Sequence, residues 1–269
     1  MLLAAGRGER MRPLTDTCPK PLLDVQGKPL MQWHLEALLR GGCPKVVVNT
    51  AWLADSIAQR FKDEFEPQGR QSKRVQLSNS ELLARLPMVY SHEGRDFGGA
   101  LETAGGIARA LPILGDVFWV LAADVYVPGF EFSPKVVTKF IASGLLAHLW
   151  LVPNPAHHPD GDFGLQDMSQ GRSALALNLS KADPRPHYTY STIGLYRRRL
   201  FEPPWCDIPA GNPQGLKEPL VALLRRAMDN QQVSAELYLG PWTDVGTPQR
   251  LDELNARFVP TNSLPFATN

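Results

Sequence analysis

Short apolar runs alternate along the chain with stretches in which apolar residues recur every three to four positions. Leu2-Leu3-Ala4 reads as the end of a strand. Pro29 opens a helix whose apolar side is Leu30, Leu35, Leu38 and Leu39, and Gly41-Gly42 closes it. Val46-Val47-Val48 is a β-branched strand, and the spacing predicts a helix from Trp52 to Phe65. Met88-Val89-Tyr90 predicts the next strand and Leu101 to Leu111 the next helix. Val117 to Ala122 contains no polar position, which fits a strand covered on both faces. Strands and helices alternating at this spacing predict an α/β fold, a mostly parallel mixed sheet flanked by helices.

The pattern changes after residue 130. Leu146 to Val152, Ala174 to Leu179 and Thr189 to Tyr196 predict strands with few helices between them. A helix over Leu216 to Met228, a strand over Ala235 to Leu239 and a helix over Pro248 to Phe258 follow. The expectation is one domain over 1–258, with halves 1–130 and 131–258 completing a single cleft. Residues 66–86 are polar, carry Arg70, Lys73 and Arg74, and read as an inserted, solvated loop. Residues 259–269 read as a loose tail.

Composition narrows the function classes. With 269 residues and 43% hydrophobic content the chain can bury a sizeable core. The net charge is +1, from 28 basic and 27 acidic residues, so global charge points to neither nucleic acid nor an acidic membrane. Three scattered cysteines, Cys18, Cys43 and Cys206, form neither a disulfide framework nor a zinc site and suggest a reducing cytoplasm. No apolar run approaches the roughly 20 residues of a membrane span. The opening MLLAA is too short for a signal-peptide core and short for a first strand, which leaves open whether Met1 is the natural start or the chain begins a few residues upstream.

The stretch after the first strand, GRGERMRPLTDTCPKPLL, is the candidate site. Ligands of open α/β sheets bind at the carboxyl ends of strands, and glycines let backbone N–H groups turn toward an anion. Gly6 and Gly8 do not satisfy the P-loop spacing, and Met11 fills the third glycine place of the dinucleotide fingerprint. Arg10, Arg12 and Lys20, held in a loop stiffened by Pro13, Pro19 and Pro21, suit a triphosphate instead. Asp124 ends the strand VFWVLAAD, and Asp244 follows another in WTDVGT. Two strand-end carboxylates suit Mg²⁺, while a helix cap is the competing reading, Thr247-Pro248 marking a helix start near Asp244. Asp162-Phe163-Gly164 spells a kinase triplet without the other kinase motifs, so a kinase is rejected. His157, His158, Asp160 and Asp162, among Pro153, Pro155 and Pro159, read as a solvated turn rather than a metal cluster.

LAAGRGERMRPLT followed by PKPLL resembles the signature of sugar-1-phosphate nucleotidyltransferases. LETAGGI, LAADV, NPAHHPDGDF and WTDVGT follow in that family's order over most of residues 1–257. The resemblance implies a Rossmann-like fold of the nucleotide-diphospho-sugar transferase type, with a nucleotide-binding first half and a sugar-phosphate-binding second half. It implies transfer of UMP from UTP to a sugar 1-phosphate, nearest to the cell-wall-recycling branch that takes N-acetylmuramate 1-phosphate. Glucose or mannose 1-phosphate with UTP, dTTP or GTP is the alternative, and a non-catalytic nucleotide-sugar binder is an alternative of another class. By the same resemblance Ala5, Gly6, Gly8, Glu9, Arg10, Lys20, Asn49, Glu93 and Gly105 bind the nucleotide. Asp124 and Asp244 hold Mg²⁺, and Asp162, Ser191 and Lys217 bind the sugar phosphate. Arg10, Lys20 and Asp124 are the expected catalytic residues. Ala122 and Ala123 depart from the family pattern of a polar residue and a glycine before the metal aspartate, and Ala122 cannot hydrogen-bond a substrate. A cytoplasmic monomer or small homo-oligomer is expected.

Overall fold

Every residue of the stretch VVVNT is buried, and the sheet is built around it. The structure, a computed structural model, describes residues 1–67, 85–166 and 174–256. The expected insertion lies largely outside these residues, and the expected tail lies wholly outside them. The strands are β1 (Leu2–Ala4), β2 (Asp24–Val25), β3 (Lys28–Pro29), β4 (Val46–Thr50), β5 (Glu64–Phe65), β6 (Leu86–His92), β7 (Val117–Ala122) and β8 (Val125–Tyr126), then β9 (Ala147–Val152), β10 (Phe163–Leu165), β11 (Ala176–Leu177), β12 (His187–Arg197), β13 (Val233–Leu237) and β14 (Thr243–Asp244). The helices are α1 (Leu14–Thr17), α2 (Leu30–Arg40), α3 (Ala54–Phe61), α4 (Glu93–Phe97), α5 (Glu102–Ala110), α6 (Pro134–Ser143), α7 (Leu220–Asp229) and α8 (Pro248–Ala256).

The centre of the main sheet is parallel, in the order β7-β1-β4-β6. β12 continues it antiparallel to β7 and also pairs with β9, which in turn pairs parallel with β13. Alternation along the buried strands assigns side chains to the two faces. Val47 and Val120 pack with Ala104, Ile107 and Ala108 of α5 and with Leu220 and Leu224 of α7. Val46, Val48, Trp119 and Leu121 face the other way, onto Met31, Leu35 and Leu38 of α2 and Ile57 of α3. A third, smaller core of Met11, Leu23, Val25, Leu30, Tyr126, Val245, Leu251 and Leu254 joins the glycine-rich loop to α8. In register, Leu3 lies beside both Asn49 and Ala122, so the carboxyl ends of β1, β4 and β7 share one edge. Among the described residues no helix is long and apolar enough to cross a membrane.

The structure corrects several element readings. The helix predicted from Trp52 to Phe65 is confined to Ala54–Phe61. Lys62 takes a φ of 55° and Phe65 then pairs with Leu86 antiparallel, its ring buried against Phe61. The Phe61–Phe65 spacing looked helical, but a turn brings the two rings together. The helix predicted from Leu216 begins only at Leu220, because Pro219 has no N–H to give and biases its predecessor toward extended backbone. α6, ahead of the second-half strands, was not predicted. Its β-branched Val136, Val137, Thr138 and Ile141 masked a helix that Pro134 opens and Gly144, at φ 73°, closes. The strand predicted over Ala235 to Leu239 lies at Val233–Leu237, with Leu239 75% exposed.

α4 was not anticipated either. It is seated on the end of β4 at Gly94, where an added Cβ would stand 2.5 Å from the Ala51 carbonyl oxygen. Gly94→Ala is expected to lower stability by roughly 1–3 kcal/mol, read as a lower urea midpoint at unchanged slope.

Candidate active site

The loop after β1 is held by its own polar groups. Gly8 takes a φ of 68°, which glycine adopts freely, and its carbonyl accepts from the Met11 N–H at 2.9 Å and the Thr15 hydroxyl at 2.8 Å. The Arg7 guanidinium lies over the Trp52 ring, 3.4 Å from its centroid. Arg7 Nη1 and Trp52 Nε1 both donate to the Thr15 carbonyl at 2.9 Å. Arg7 and Arg12 both pair with Asp16, whose carboxyl is held below its usual range chiefly by the Arg12 guanidinium. Arg10 is exposed and, among the described residues, forms no ion pair. Of the three loop arginines it is the cation left for a ligand.

Lys20 follows Pro19 in a single 3₁₀ turn and is 8% exposed. Its ammonium donates to Asp124 Oδ2 at 2.7 Å. A buried ammonium needs a counter-charge, and Asp124, in the turn between β7 and β8, supplies it. The β8–β14 ribbon sets Asp244 opposite Val125, and the Val245 N–H donates to the Asp124 carbonyl at 2.9 Å. The two aspartates thus stand on adjoining residues of one ribbon. Asp244 Oδ2 pairs with Arg250, which also donates to the His157 ring nitrogen Nε2 at 2.9 Å. Arginine only donates, so His157 Nε2 is the bare nitrogen and gives nothing to Asp244 Oδ1, 2.9 Å away. Oδ1 is buried and accepts no hydrogen bond among the described residues. Two neighbouring carboxylates, one with an unsatisfied oxygen, fit a small hard cation such as Mg²⁺. No group of three or more His, Cys, Asp or Glu side chains placed to hold a metal occurs among the described residues, so other oxygens would have to complete its shell.

Asn49 bridges the ends of two strands and α4. Its Oδ1 accepts from the Ala4 N–H at 2.8 Å, and its Nδ2 donates to Glu93 Oε1 at 2.8 Å. Glu93 is fully buried, and Oε2 accepts from the Leu101 N–H at 2.9 Å. Both residues therefore spend their polar atoms inside the protein while shaping the floor of the cleft.

That cleft has a volume of about 540 Å³, and its walls include Ala5, Gly6, Gly8, Glu9, Arg10, Lys20, Asn49, Glu93 and Asp124. A second cavity of about 350 Å³ shares Leu3, Thr103 and Ala122 with it and contains Asp162, Tyr190 and Thr192. Asp162 Oδ2 accepts from the Tyr190 N–H at 2.8 Å, and Oδ1 lies 3.2 Å from His158 Nε2. Four expected residues, Gly105, Ser191, Lys217 and Asp244, line neither cavity. Gly105 packs against the Leu216 carbonyl, Ser191 is fully buried with Oγ accepting from the Ile193 N–H at 3.2 Å, and Lys217 is exposed on the irregular stretch before α7. Asp244 adjoins the cleft-lining Gly246, where an added Cβ would stand 3.0 Å from Asp244 Oδ2. Sequence reasoning missed Arg250, the Arg7–Trp52–Thr15 clamp and Glu102, which lines the cleft with a φ of 60°. The positive φ of Glu102 leaves no sequence signal, because glycine is the residue that would mark it.

The profile of the family described as Nucleotidyl transferase matches residues 1–259. The N-acetylmuramate alpha-1-phosphate uridylyltransferase of Neisseria meningitidis serogroup B is 41% identical over 258 residues, covering 95% of this chain and 96% of that protein. The UTP–glucose-1-phosphate uridylyltransferase of a Synechocystis species is 35% identical over 135 residues, 47% of this chain and 30% of that protein. Among solved structures, a UDP-glucose pyrophosphorylase from Acinetobacter baumanii superimposes with a TM-score of 0.67 over 94% of this chain and 90% of that one, at 16% identity. That likeness shows the fold, and it agrees with the Rossmann-like architecture expected from the sequence.

Burial pushes the Glu93 carboxyl up from its ordinary 4.5, against the hydrogen bonds from Leu101 and Asn49. Below pH 4.5 the group is protonated folded and unfolded alike. As pH rises through the folded value, ionisation inside the protein costs stability. Wild-type stability relative to Glu93→Gln should therefore fall from pH 4.5 toward neutrality, measured by urea denaturation of both proteins across that range.

Proposed function

The chain belongs to the nucleotidyl transferase family, and from that premise we propose that it transfers UMP from UTP to N-acetylmuramate 1-phosphate, releasing pyrophosphate. The Neisseria relative that matches nearly end to end supports the choice of nucleotide and acceptor. The observation that carries the chemistry is the cleft holding Arg10, which forms no ion pair among the described residues, beside the Lys20–Asp124 pair.

The acceptor phosphate oxygen attacks the α-phosphorus, and the bond to the pyrophosphate oxygen breaks as the new one forms. The nucleophile is already ionised, so the protein's part is placement and charge neutralisation. Arg10 holds the leaving pyrophosphate. Lys20, little exposed and aimed by Asp124, meets the charge that builds around the α-phosphate. Asp124 and Asp244 would hold Mg²⁺, which supplies further neutralisation of phosphate oxygens. The glycine-rich loop, clamped through Thr15 and Trp52, keeps its backbone in place before the nucleotide arrives. The second cavity would receive the sugar, with Asp162 toward its hydroxyl or amide groups. Ala122 gives that cavity a wall without a hydrogen-bonding group. Scattered free cysteines support a cytoplasmic setting.

Pyrophosphate release should be fastest with UTP and N-acetylmuramate 1-phosphate when UTP, dTTP and GTP are crossed with muramyl, glucose and mannose 1-phosphates. Faster release with a hexose 1-phosphate overturns the acceptor, and nucleotide binding without any release overturns the enzyme. Lys20→Ala should lower kcat about 100- to 1,000-fold with little change in Tm, since Asp124 is exposed enough to be solvated alone. Near-normal turnover of that variant in the same assay refutes the role given to Lys20.

A further inference from the structure

α2 packs behind the ribbon that carries the two aspartates. Its apolar face includes Leu30, Met31, Leu35 and Leu38, and among them stands a histidine, His34, 1% exposed. A polar ring on such a face costs free energy unless it makes a bond an apolar side chain cannot. His34 Nε2 lies 2.7 Å from the Val125 carbonyl oxygen. A carbonyl only accepts, so Nε2 carries the proton and donates.

Val125 is the residue that links the two carboxylates. It follows Asp124 in the chain and is the register partner of Asp244 across β8 and β14. Each of those strands has two residues, and together they form a sheet separate from the main one. So short a ladder does not fix its own position. The Trp33 and Tyr126 rings meet edge to face at 5.2 Å, and the Tyr126 hydroxyl donates to Gln26. His34 adds a directional bond from a helix that is itself locked into the core.

We propose that His34 is a positioning residue, whose Nε2–H bond to the Val125 carbonyl holds the β8–β14 ribbon so that Asp124 and Asp244 face one divalent cation together. The inference rests on the reading of those aspartates as cation ligands. Outer-shell groups that orient a ligand are worth about 10- to 100-fold in metal affinity, and His34 orients Asp124 through the backbone of the next residue.

The test is Mn²⁺ binding by electron paramagnetic resonance, with α,β-methylene-UTP bound and no acceptor present, so that no turnover is involved. His34→Leu should keep its circular dichroism spectrum and its affinity for the nucleotide analogue in EDTA, yet bind Mn²⁺ about 10- to 100-fold more weakly. His34→Gln, which retains a donor, should return Mn²⁺ affinity to within a few-fold of wild type. Wild-type Mn²⁺ affinity in His34→Leu overturns the proposal, as does an equal loss in the leucine and glutamine variants. If the leucine variant does not fold, His34→Met, which fills the site without a donor, takes its place: a tenfold or greater loss of Mn²⁺ affinity that His34→Gln does not share upholds the donor role, and wild-type affinity overturns it. Asp124→Asn separates the two levels. Should it bind Mn²⁺ like the wild type, the ligand reading itself falls, and His34 with it. Should it lose Mn²⁺ while His34→Leu does not, only the positioning role is lost.

Discussion

A buried ammonium has to be neutralised, and in this protein the counter-charge comes from the far side of the sheet's edge. Lys20 reaches Asp124, and the demand of that pair for close contact brings the glycine-rich loop and the acidic ribbon together. The pair is asymmetric, with the lysine side chain 10% and the aspartate 42% exposed. The lysine is therefore the member that cannot be left alone, while the aspartate keeps a face open to an incoming ligand. Around this contact the third apolar core, from Met11 to Leu254, ties loop, ribbon and α8 into one support.

The rest of the loop follows from how its cations are divided. Asp16 binds two guanidiniums, and Trp52 adds its ring face to one of them. These contacts turn two of three arginines into structure and leave one for the ligand. Asn49 performs a similar task on the strand side, joining the ends of β1 and β4 to the buried Glu93. Residues expected to touch nucleotide thus fall into two kinds, those with a free polar group and those that shape the cleft by spending theirs internally.

The parallel centre of the sheet was legible because strands buried on both faces are written as unbroken apolar runs, as in Val117 to Ala122. The glycine-rich loop was legible because its glycines and cations are contiguous. Elements whose signal depends on distant partners were not. Phe65 kept helical spacing from Phe61 but found its place through Leu86, and α6 was hidden by β-branched residues that packing tolerates. In the site, the local pattern offered Arg10, Arg12, Lys20 and Asp124; the structure gathers Arg10, Lys20 and Asp124 in one cleft and turns Arg12 to Asp16. His34 could not be named in this way, since it acts through the Val125 carbonyl far away in sequence, nor could Arg250, which joins the nearby Asp244 to the distant His157. Ser191 and Lys217 matched by order along the chain, which does not fix the direction of a side chain, and Gly105 matched by the same order, which does not fix what its backbone packs against.

Leu3, Thr103 and Ala122 form a party wall between the two cavities. A larger side chain at any of them narrows both rooms at once, so with nucleotide and acceptor in the two cavities as proposed, the two choices are coupled at these three positions. Val221 and Leu224 border only the second cavity. The range of acceptors is open to remodelling there without disturbing the nucleotide, whereas a change in the shared wall needs a matching change across the cleft.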